Sequence, residues 1–489
     1  MVKRLLLFSM AMMLLFSCGG SPIDTEAETI QESSYLPLIT TPVPPVYLPI
    51  ITKPWLNSTF GVEVSYLDET VAERAKEMKS AWVRINALYW SGYQPNNSSE
   101  FITNPQLEQE LILADQNGLE AILIIHRTPE WAREYPDSVC GPIRSDKLVD
   151  FANFMKKVVQ KYSQSPYNVN YYELWNEPDH PLLRDKPETS YNESNKPYGC
   201  WGDPTAEDYG GGKYAEMLKV VTPAMRLVNP NVKIVLGGLL LDCDPDDLEN
   251  CKQIAMSGYF EGILKSGGGN YFDVVNFHGY NYYATNTSPI EREYEIPNWT
   301  EKGGQVEGKV AFLQEVMAKY GISKPIILSE AGLICWRCEV FPPEYELDKA
   351  EYVVWLYVRN WAKGLMATTW YTLDKGGWQG TGLLDAQNNP TLSFYAYKTM
   401  TDTLYGANYV KEVTTETDMT VFEFEKGYRI WVLFSMDGQE KSIDLSPYGQ
   451  AFEAIDLFGN VCDGTSDCNL EINVLSFNLP VFLRFANQD

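Results

Sequence analysis

The sequence predicts an α/β chain, a (β/α)8 barrel followed by a small antiparallel β-sandwich, and three observations carry that expectation. Between residues 57 and 406, short β-branched or aromatic runs alternate eight times with amphipathic helical stretches. The insertions at 126–145, 178–206, 278–308 and 331–348 all follow strands, on the face where such barrels keep their active sites. From residue 407 onward the helical pattern stops, and short alternating strands are separated by Gly, Asp and Asn turns. A doubly wound open sheet is the rival, but no GxGxxG follows the first strand.

Taken in order, the chain opens on an export signal. Lys3 and Arg4 precede a largely apolar run, 5–16, which breaks at Ser17-Cys18-Gly19-Gly20. A basic start and so short an apolar run fit a secretory signal and cannot span a bilayer. The stretch Leu15-Phe16-Ser17-Cys18 resembles a bacterial lipoprotein cleavage box, which makes residues 1–18 the signal and Cys18 the lipidated residue. Residues 19–55 read as a tether. Acidic and Ser/Thr residues come first, then Pro37, Pro42, Pro44, Pro45, Pro49 and Pro54, a density that favours an extended chain. The expected location is outside the cell: a lipoprotein on a bacterial surface or periplasm-facing membrane, otherwise a secreted protein. Any membrane contact would be through the lipid alone.

The barrel is expected over 56–406. Its strands are predicted at 60–65, 82–85, 120–125, 170–175, 233–237, 272–277, 325–329 and 367–372. The helices between them are predicted at 69–79, 105–116, 147–162, 213–227, 252–265, 309–320, 349–363 and 392–404. Several end on a C-capping signal such as Asn117-Gly118 or Gly321. The sandwich is expected over 407–489, with strands at 419–424, 428–435, 439–444, 452–456, 474–479 and 481–485. Its expected role is packing against the barrel, favoured over carbohydrate binding.

Charge and cysteine content narrow the partners. With 39 Lys+Arg against 65 Asp+Glu the net charge is −26, which argues against nucleic acid as a partner. Only His126, His180 and His278 are present, widely separated, so a three-histidine metal site is not expected. No metal or cofactor is implied. With Cys18 set aside, eight cysteines remain, an even number that suggests disulfides in an exported chain. Cys243–Cys251, Cys335–Cys338 and Cys462–Cys468 are close in sequence, which leaves Cys140–Cys200. Cys335-Trp336-Arg337-Cys338 could also be redox-active or half a zinc site. No thioredoxin-like βαβ context or second CxxC accompanies it, so a structural bridge is favoured. Thirteen Trp and 31 Tyr supply many flat faces, of which some would line a sugar-binding cleft.

The chemistry sits at two strand ends. The fourth strand runs into Trp175-Asn176-Glu177-Pro178, and the seventh into Leu328-Ser329-Glu330-Ala331. In an eight-stranded barrel these strands lie across the bore from each other, so the two carboxylates can flank one sugar ring. At this point the chain resembles the clan A glycoside hydrolases over residues 57–406, with Trp-Asn-Glu-Pro as the most specific motif. Arg84, His126, His278, Tyr280 and Trp370 fall on the strands where the cellulase-like family 5 pattern expects them. The Trp-Asn-Glu-Pro form and the C-terminal sandwich lean toward the xylosidase-like family 39. The resemblance implies a retaining glycosidase of β-linked oligo- or polysaccharide, with Glu177 as acid/base and Glu330 as nucleophile. It implies further that Arg84 and Tyr280 attend Glu330, that Asn176 binds the sugar 2-hydroxyl, and that Trp370 is the floor under the ring. His126 and His278 would bind hydroxyls or orient the acids. The alternative is a non-catalytic surface lipoprotein that only binds glycan. No Gly-x-Ser-x-Gly, P-loop or HExxH motif supports another chemistry.

Overall fold

Strands of five to nine residues are rich in Val, Ile and Leu because both of their faces are covered, as parallel sheets require. In a computed structural model these are β1 (Phe60–Val64), β2 (Trp82–Tyr89), β3 (Glu120–His126), β4 (Tyr171–Asn176), β5 (Lys233–Gly238), β6 (Val275–Tyr282) and β7 (Ile326–Ile334), with the shorter β8 (Ala367–Trp370). The structure describes residues 58–98, 100–136, 138–182, 201–244, 256–296, 298–336, 338–415, 419–464 and 467–486. The strands form one parallel sheet in the order β5-β4-β3-β2-β1-β8-β7-β6. Parallel bridges between Val235 and Val274 and between Leu239 and Phe277 join β5 to β6 and close the barrel.

The helices are α1 (Glu69–Glu77), α2 (Trp90–Tyr93), α3 (Pro105–Gln116), α4 (Leu148–Tyr162), α5 (Gly211–Val228), α6 (Gly258–Lys265), α7 (Pro289–Tyr294), α8 (Gln305–Lys319), α9 (Tyr345–Ala362) and α10 (Leu392–Leu404). Their starts and faces follow local rules. Asn104 accepts a hydrogen bond from Gln106 N ahead of α3, with Pro105 as the first helical residue. In α4, Leu148, Phe151, Met155, Val158, Val159 and Tyr162 recur at helical spacing and are buried. The short α2 and α7 carry too few turns to leave a periodic signal in the sequence.

The bore is filled in layers. Its lower layer is apolar, built from Ala81, Trp82, Ile122, Val235, Val274, Ile327 and Ala367. Gly61 lies against it, because a Cβ there would sit 2.7 Å from Thr369 Cγ2 and 2.8 Å from Trp82 Cβ. Three strands, β2, β6 and β7, run several residues further than predicted. β6 and β7 stay paired from Val275 with Ile326 to Tyr282 with Ile334, with a register shift after Phe277. The polar residues that looked like loop starts are therefore still on the ladder, and the shift lets β6 re-aim its side chains.

The C-terminal strands are β9 (Asn408–Val413), β10 (Met419–Glu425), β11 (Arg429–Ser435), β12 (Lys441–Asp444), β13 (Ala451–Ile455), β14 (Cys468–Glu471), β15 (Val474–Phe477) and β16 (Val481–Phe485). They form two antiparallel sheets, β13-β16-β11-β10-β9 and β12-β15-β14. Val421, Trp431, Leu433, Leu475, Phe477, Leu483 and Phe485 bury into one core. The sequence does not announce β9 or β14, whose Lys411, Glu412, Asn469 and Glu471 break the apolar alternation. The larger sheet packs on α9: Trp355 meets Phe434 at 5.1 Å, and Trp361 meets Phe424 at 5.0 Å.

Cys335–Cys338 and Cys462–Cys468 are disulfide-bonded. Cys140 and Cys243 are also bonded, but Cys200 and Cys251, their expected partners, lie outside the described residues, as do the signal, Cys18 and the tether. Among the described residues, no helix is long and apolar enough to cross a membrane.

Candidate active site

Two residues above the apolar layer, the bore turns polar. Arg84 on β2 is fully buried, and its guanidinium is used on every side. Its Nε and Nη2 donate to both oxygens of Glu173 on β4, at 2.9 and 2.8 Å. Its Nη1 donates to Glu63 on β1 and, at 2.8 Å, to Glu330 on β7. Nη2 also donates to Asn176 Oδ1 at 2.6 Å. One cation thus faces three carboxylates in a dry site. Such a group is tolerated only with close geometry and full hydrogen bonding.

His278 on β6 links the two candidate acids. Its Nδ1 lies 3.0 Å from Glu177 Oε1 and 3.3 Å from Glu330 Oε2. The three ligand atoms all lie within 4.8 Å of one another. Gly238 leaves room for the imidazole, since a Cβ there would lie 1.9 Å from His278 Nε2. Burial, helped by Arg84 and Lys309, pushes His278 down to about 3 against the pull of Glu330, so the ring is neutral at pH 7. Arg84 Nη2 stands 3.4 Å from Nε2 with both of its N–H groups already directed at Glu173 and Asn176, so its positive charge disfavours a proton on Nε2, while the carboxyls of Glu177 and Glu330 facing Nδ1 can accept one there. The proton therefore resides on Nδ1, shared toward the two acids.

This tautomer also bears on metal binding. Glu177, His278 and Glu330 are a group whose atoms could converge on a cation. Ligation through Nδ1 would move the ring proton to Nε2, 3.4 Å from the Arg84 guanidinium, where the positive charge disfavours it. With the guanidinium already neutralising Glu330, the set does not suit a metal.

The two acids differ in protonation. Burial drives Glu177 well above the usual carboxylate range, and the charges of Glu330 and Asp179 push it further. Burial acts on Glu330 too, but His278, Arg84 and the hydroxyl of Tyr280 outweigh it and hold Glu330 below its ordinary value. Tyr280, also on β6, donates its hydroxyl to Glu330 Oε1. One carboxyl is thus set to carry a proton and its neighbour to stay ionised.

Of the residues singled out from sequence, Arg84, Asn176, Glu177, His278, Tyr280 and Glu330 join this one network. His126, at the end of β3, is buried beside Tyr89, with ring centroids 4.9 Å apart. Among the described residues neither of its ring nitrogens finds a hydrogen-bond partner. Burial, with Arg127 and Arg84, keeps it neutral.

Trp370 does not reach the site. Its side chain is fully buried, its indole N–H donates to Thr381 O at 2.6 Å, and its ring meets Tyr352 of α9 at 6.2 Å. The reason is strand parity: Ala367 faces the bore, so Thr369 and Tyr371 share that side while Thr368 and Trp370 turn to the helices. A half-buried Tyr371 is the ring beside the acids, edge to face with Tyr280 at 6.2 Å. Sequence reasoning also passed over Glu63 and Glu173. The available signal was an acid at an inward position of an otherwise apolar strand. Asp179, within the 178–206 insertion, is buried and accepts from Leu240 N and Leu241 N at 3.0 and 2.9 Å, fixing the segment after β5.

Comparison with known proteins agrees with this arrangement. The sequence model of Cellulase (glycosyl hydrolase family 5) matches residues 51–334, more than half of the chain, and the chain belongs to that family. No curated protein sequence matches it. Among solved structures it is similar in fold to a family 39 glycoside hydrolase from the gut symbiont Bacteroides cellulosilyticus WH2, with 17% identity, a TM-score of 0.63, and 88% of this chain and 81% of that one covered. A family 39 β-xylosidase from Caulobacter crescentus gives 13%, 0.54, 88% and 97%. The family 51 α-L-arabinofuranosidase AbfB from Bifidobacterium longum gives 13%, 0.53, 87% and 95%. The family and the barrel make this a clan A glycoside hydrolase.

Proposed function

We propose that the protein is a retaining glycosidase that cleaves β-linked O-glycosidic bonds of extracellular oligo- or polysaccharide by double displacement. The observation that carries the reading is the pair Glu177 and Glu330, a protonated and an ionised carboxyl joined through one neutral histidine. One oxygen of each lies within 4.8 Å of the other, which is compatible with the ~5–5.5 Å between the carboxyl groups of retaining pairs. The cellulase family supports the β linkage.

Each group has a step. Glu330 attacks the anomeric carbon while Glu177 gives its proton to the departing oxygen, so the glycosidic bond breaks as the glycosyl-enzyme ester forms. Glu177, now ionised, takes a proton from water, and that water attacks the anomeric carbon and frees Glu330. Arg84 and Tyr280 keep the nucleophile ionised. Asn176, whose carbonyl oxygen is committed to Arg84, retains its NH2 group for the 2-hydroxyl, a contact that strengthens in the transition state. His126, neutral and without a hydrogen-bond partner among the described residues, supplies hydroxyl binding, and Tyr371 takes the place expected of Trp370 beside the ring. The apolar start and Cys18 support export and lipid anchoring at the cell surface.

The test is to screen nitrophenyl glycosides and soluble polysaccharides, then follow the first product by proton NMR. Release of sugar with retained anomeric configuration is expected. An inverted anomer seen before mutarotation would refute double displacement, and no release from any substrate would refute the glycosidase.

A further inference from the structure

At the upper ends of β2 and β3 stands an arginine that the network around Glu330 does not use. Arg127 follows His126 directly, and its backbone takes φ +65°, in the left-handed region that a side chain enters only at an energetic cost. Ser91 N donates to its carbonyl at 2.9 Å and holds the bend. The guanidinium lies on Tyr89, with Cζ 3.7 Å from the ring centroid. So close an approach sets face against face and leaves the N–H groups around the edge pointing outward. Among the described residues, those N–H groups meet neither an acceptor nor an acid, whereas every other described arginine has at least one. In a chain with 65 acidic residues against 39 basic ones, this half-buried arginine is the exception.

The neighbouring side chain is open too. His126 is buried and neutral, and neither ring nitrogen has a hydrogen-bond partner among the described residues. Tyr89 pairs with His126 across β2 and β3, and their rings meet at 4.9 Å. One tyrosine therefore carries an imidazole and a guanidinium side by side. A buried polar group without a partner costs stability until a ligand or water completes it. His126 also feels the charge of Arg84, the arginine that holds Glu330, so the pair lies on the reacting side of the barrel.

We propose that Arg127, with His126 beside it, binds a carboxylate on the sugar chain, so that the substrate is a glycan containing uronic acid. The substrate class rests on the glycosidase reading above. Three features select this ligand. A guanidinium with a free edge presents parallel N–H groups that match the two oxygens of a carboxylate. A neutral imidazole adds one N–H donor without adding charge, and its other nitrogen accepts from a sugar hydroxyl. The stack on Tyr89 and the hydrogen bond from Ser91 fix Arg127 before the ligand arrives, so little freedom is lost on binding. The net charge of −26 repels anions from the surface as a whole, and a carboxylate is accepted only where a free cation offsets that field.

Binding and turnover are read separately. Glu330→Gln protein would be titrated by calorimetry with oligomers of β-1,4-mannuronate, of unsulfated chondroitin, and of β-1,4-xylan bearing glucuronate. Each is set against its counterpart in which the carboxyl is reduced to a primary alcohol. At least one acidic oligomer should bind more tightly than its reduced counterpart by roughly tenfold to a hundredfold, the scale of a hydrogen-bonded charge pair. Arg127→Gln should remove most of that preference, and Arg127→Lys, which keeps the charge but not the fork, should retain part of it. A melting temperature equal to that of the parent would verify that both variants fold. Hydrolysis of any oligomer by the unaltered enzyme, acidic or reduced, scores the glycosidase reading on its own, so the two can fail independently. No preference for an acidic oligomer, or one that survives in Arg127→Gln, overturns the site. A sulfated β-galactan preferred over its desulfated form, with no uronate preferred, also overturns the carboxylate and makes the ligand a sulfate ester.

Discussion

The lower and upper layers of the bore are built by the same strands two residues apart, and opposite physics holds them. Below, Trp82, Ile122, Val235, Ile327 and Ala367 interlock, and removing apolar surface from water is enough to stabilise them. Above, Arg84 stands over Trp82 and Glu173 over Tyr171, with Glu63 and Glu330 closing in from β1 and β7. Nothing about transfer from water favours that layer. It persists because the packed barrel around it fixes every donor opposite an acceptor, and because some of its acids give up their charge. The difference teaches that stability and chemistry are assigned to separate heights of one scaffold. Variants at the two heights should therefore fail in different ways.

The largest effect is expected at the acids themselves. Glu330→Gly should abolish turnover of every substrate, because the other carboxyls on Arg84, Glu63 and Glu173, are buried and held by it. Azide or formate should restore part of it and give a product of inverted configuration. Glu177→Ala should spare the first step for a dinitrophenyl glycoside, whose leaving group needs little help, and slow poor leaving groups by about 10²–10⁴-fold. Azide should then speed the second step and yield a retained glycosyl azide. Rates across a leaving-group series measure this, and the opposite pattern would reverse the two roles. Glu177→Ala should melt close to the parent, whereas Glu330→Gly, which takes a partner from Arg84 and puts glycine inside β7, should melt lower.

Next in size is a pair of variants that sets the layers against each other. Arg84→Met leaves Glu63, Glu173 and Glu330 buried without their common cation. Breaking a buried pair in this way typically costs about 3–5 kcal/mol, and activity should vanish with it. Ile327→Val, at the bottom of the same bore, removes one methylene and should cost about 0.5–1.5 kcal/mol with kcat/KM unchanged. Urea denaturation and steady-state kinetics on both proteins decide the matter. Equal stability losses would mean that the charged layer is not the fragile one.

These contrasts also explain what the sequence could reveal. The lower layer and most of the helices were legible, because burial on both faces of a strand and 3.6-residue periodicity on a helix leave patterns in composition. Glu177 and Glu330 were legible because each interrupts an apolar run just where a strand should end. Glu63 and Glu173 were not, since a charged residue inside a short strand reads as an outward position until the barrel closes and Arg84 arrives from β2. Trp370 was misplaced by one residue: a four-residue strand is too short for alternation to assign a face, and the bulkier ring drew the assignment away from Tyr371. The shift in β6 after Phe277, which aims His278 and Tyr280, depends on pairing with β7 and has no local signature. The polar edge strands β9 and β14 escaped for the same reason that the sandwich tolerates them, since their outward residues need no core.

The smallest expected effect is also the sharpest test of how charged the upper layer is. Burial raises Glu63 well above the usual carboxylate range, and the nearby charge of Glu330 adds to it, although Arg84 pulls the other way. The raised value favours a proton on Glu63, and Gln is close to the protonated acid in shape, with an oxygen to accept from Arg84. Glu63→Gln should leave the melting temperature unchanged to within about 2 °C at acidic pH, where Glu63 is protonated in both the folded and the unfolded chain. The sign of the pH dependence separates it from the parent. An acid whose value is raised on folding binds more protons in the native state than in the unfolded one, so its contribution to stability is full below the ordinary glutamate range. That contribution falls as pH rises through and above this range toward the raised value. The parent should lose this part of its stability between acidic and neutral pH, and Glu63→Gln should not, so the difference between their stability curves should slope in favour of the variant as pH increases. A difference of the opposite slope would mean that Glu63 is ionised in the fold and that Arg84 holds a full negative charge there.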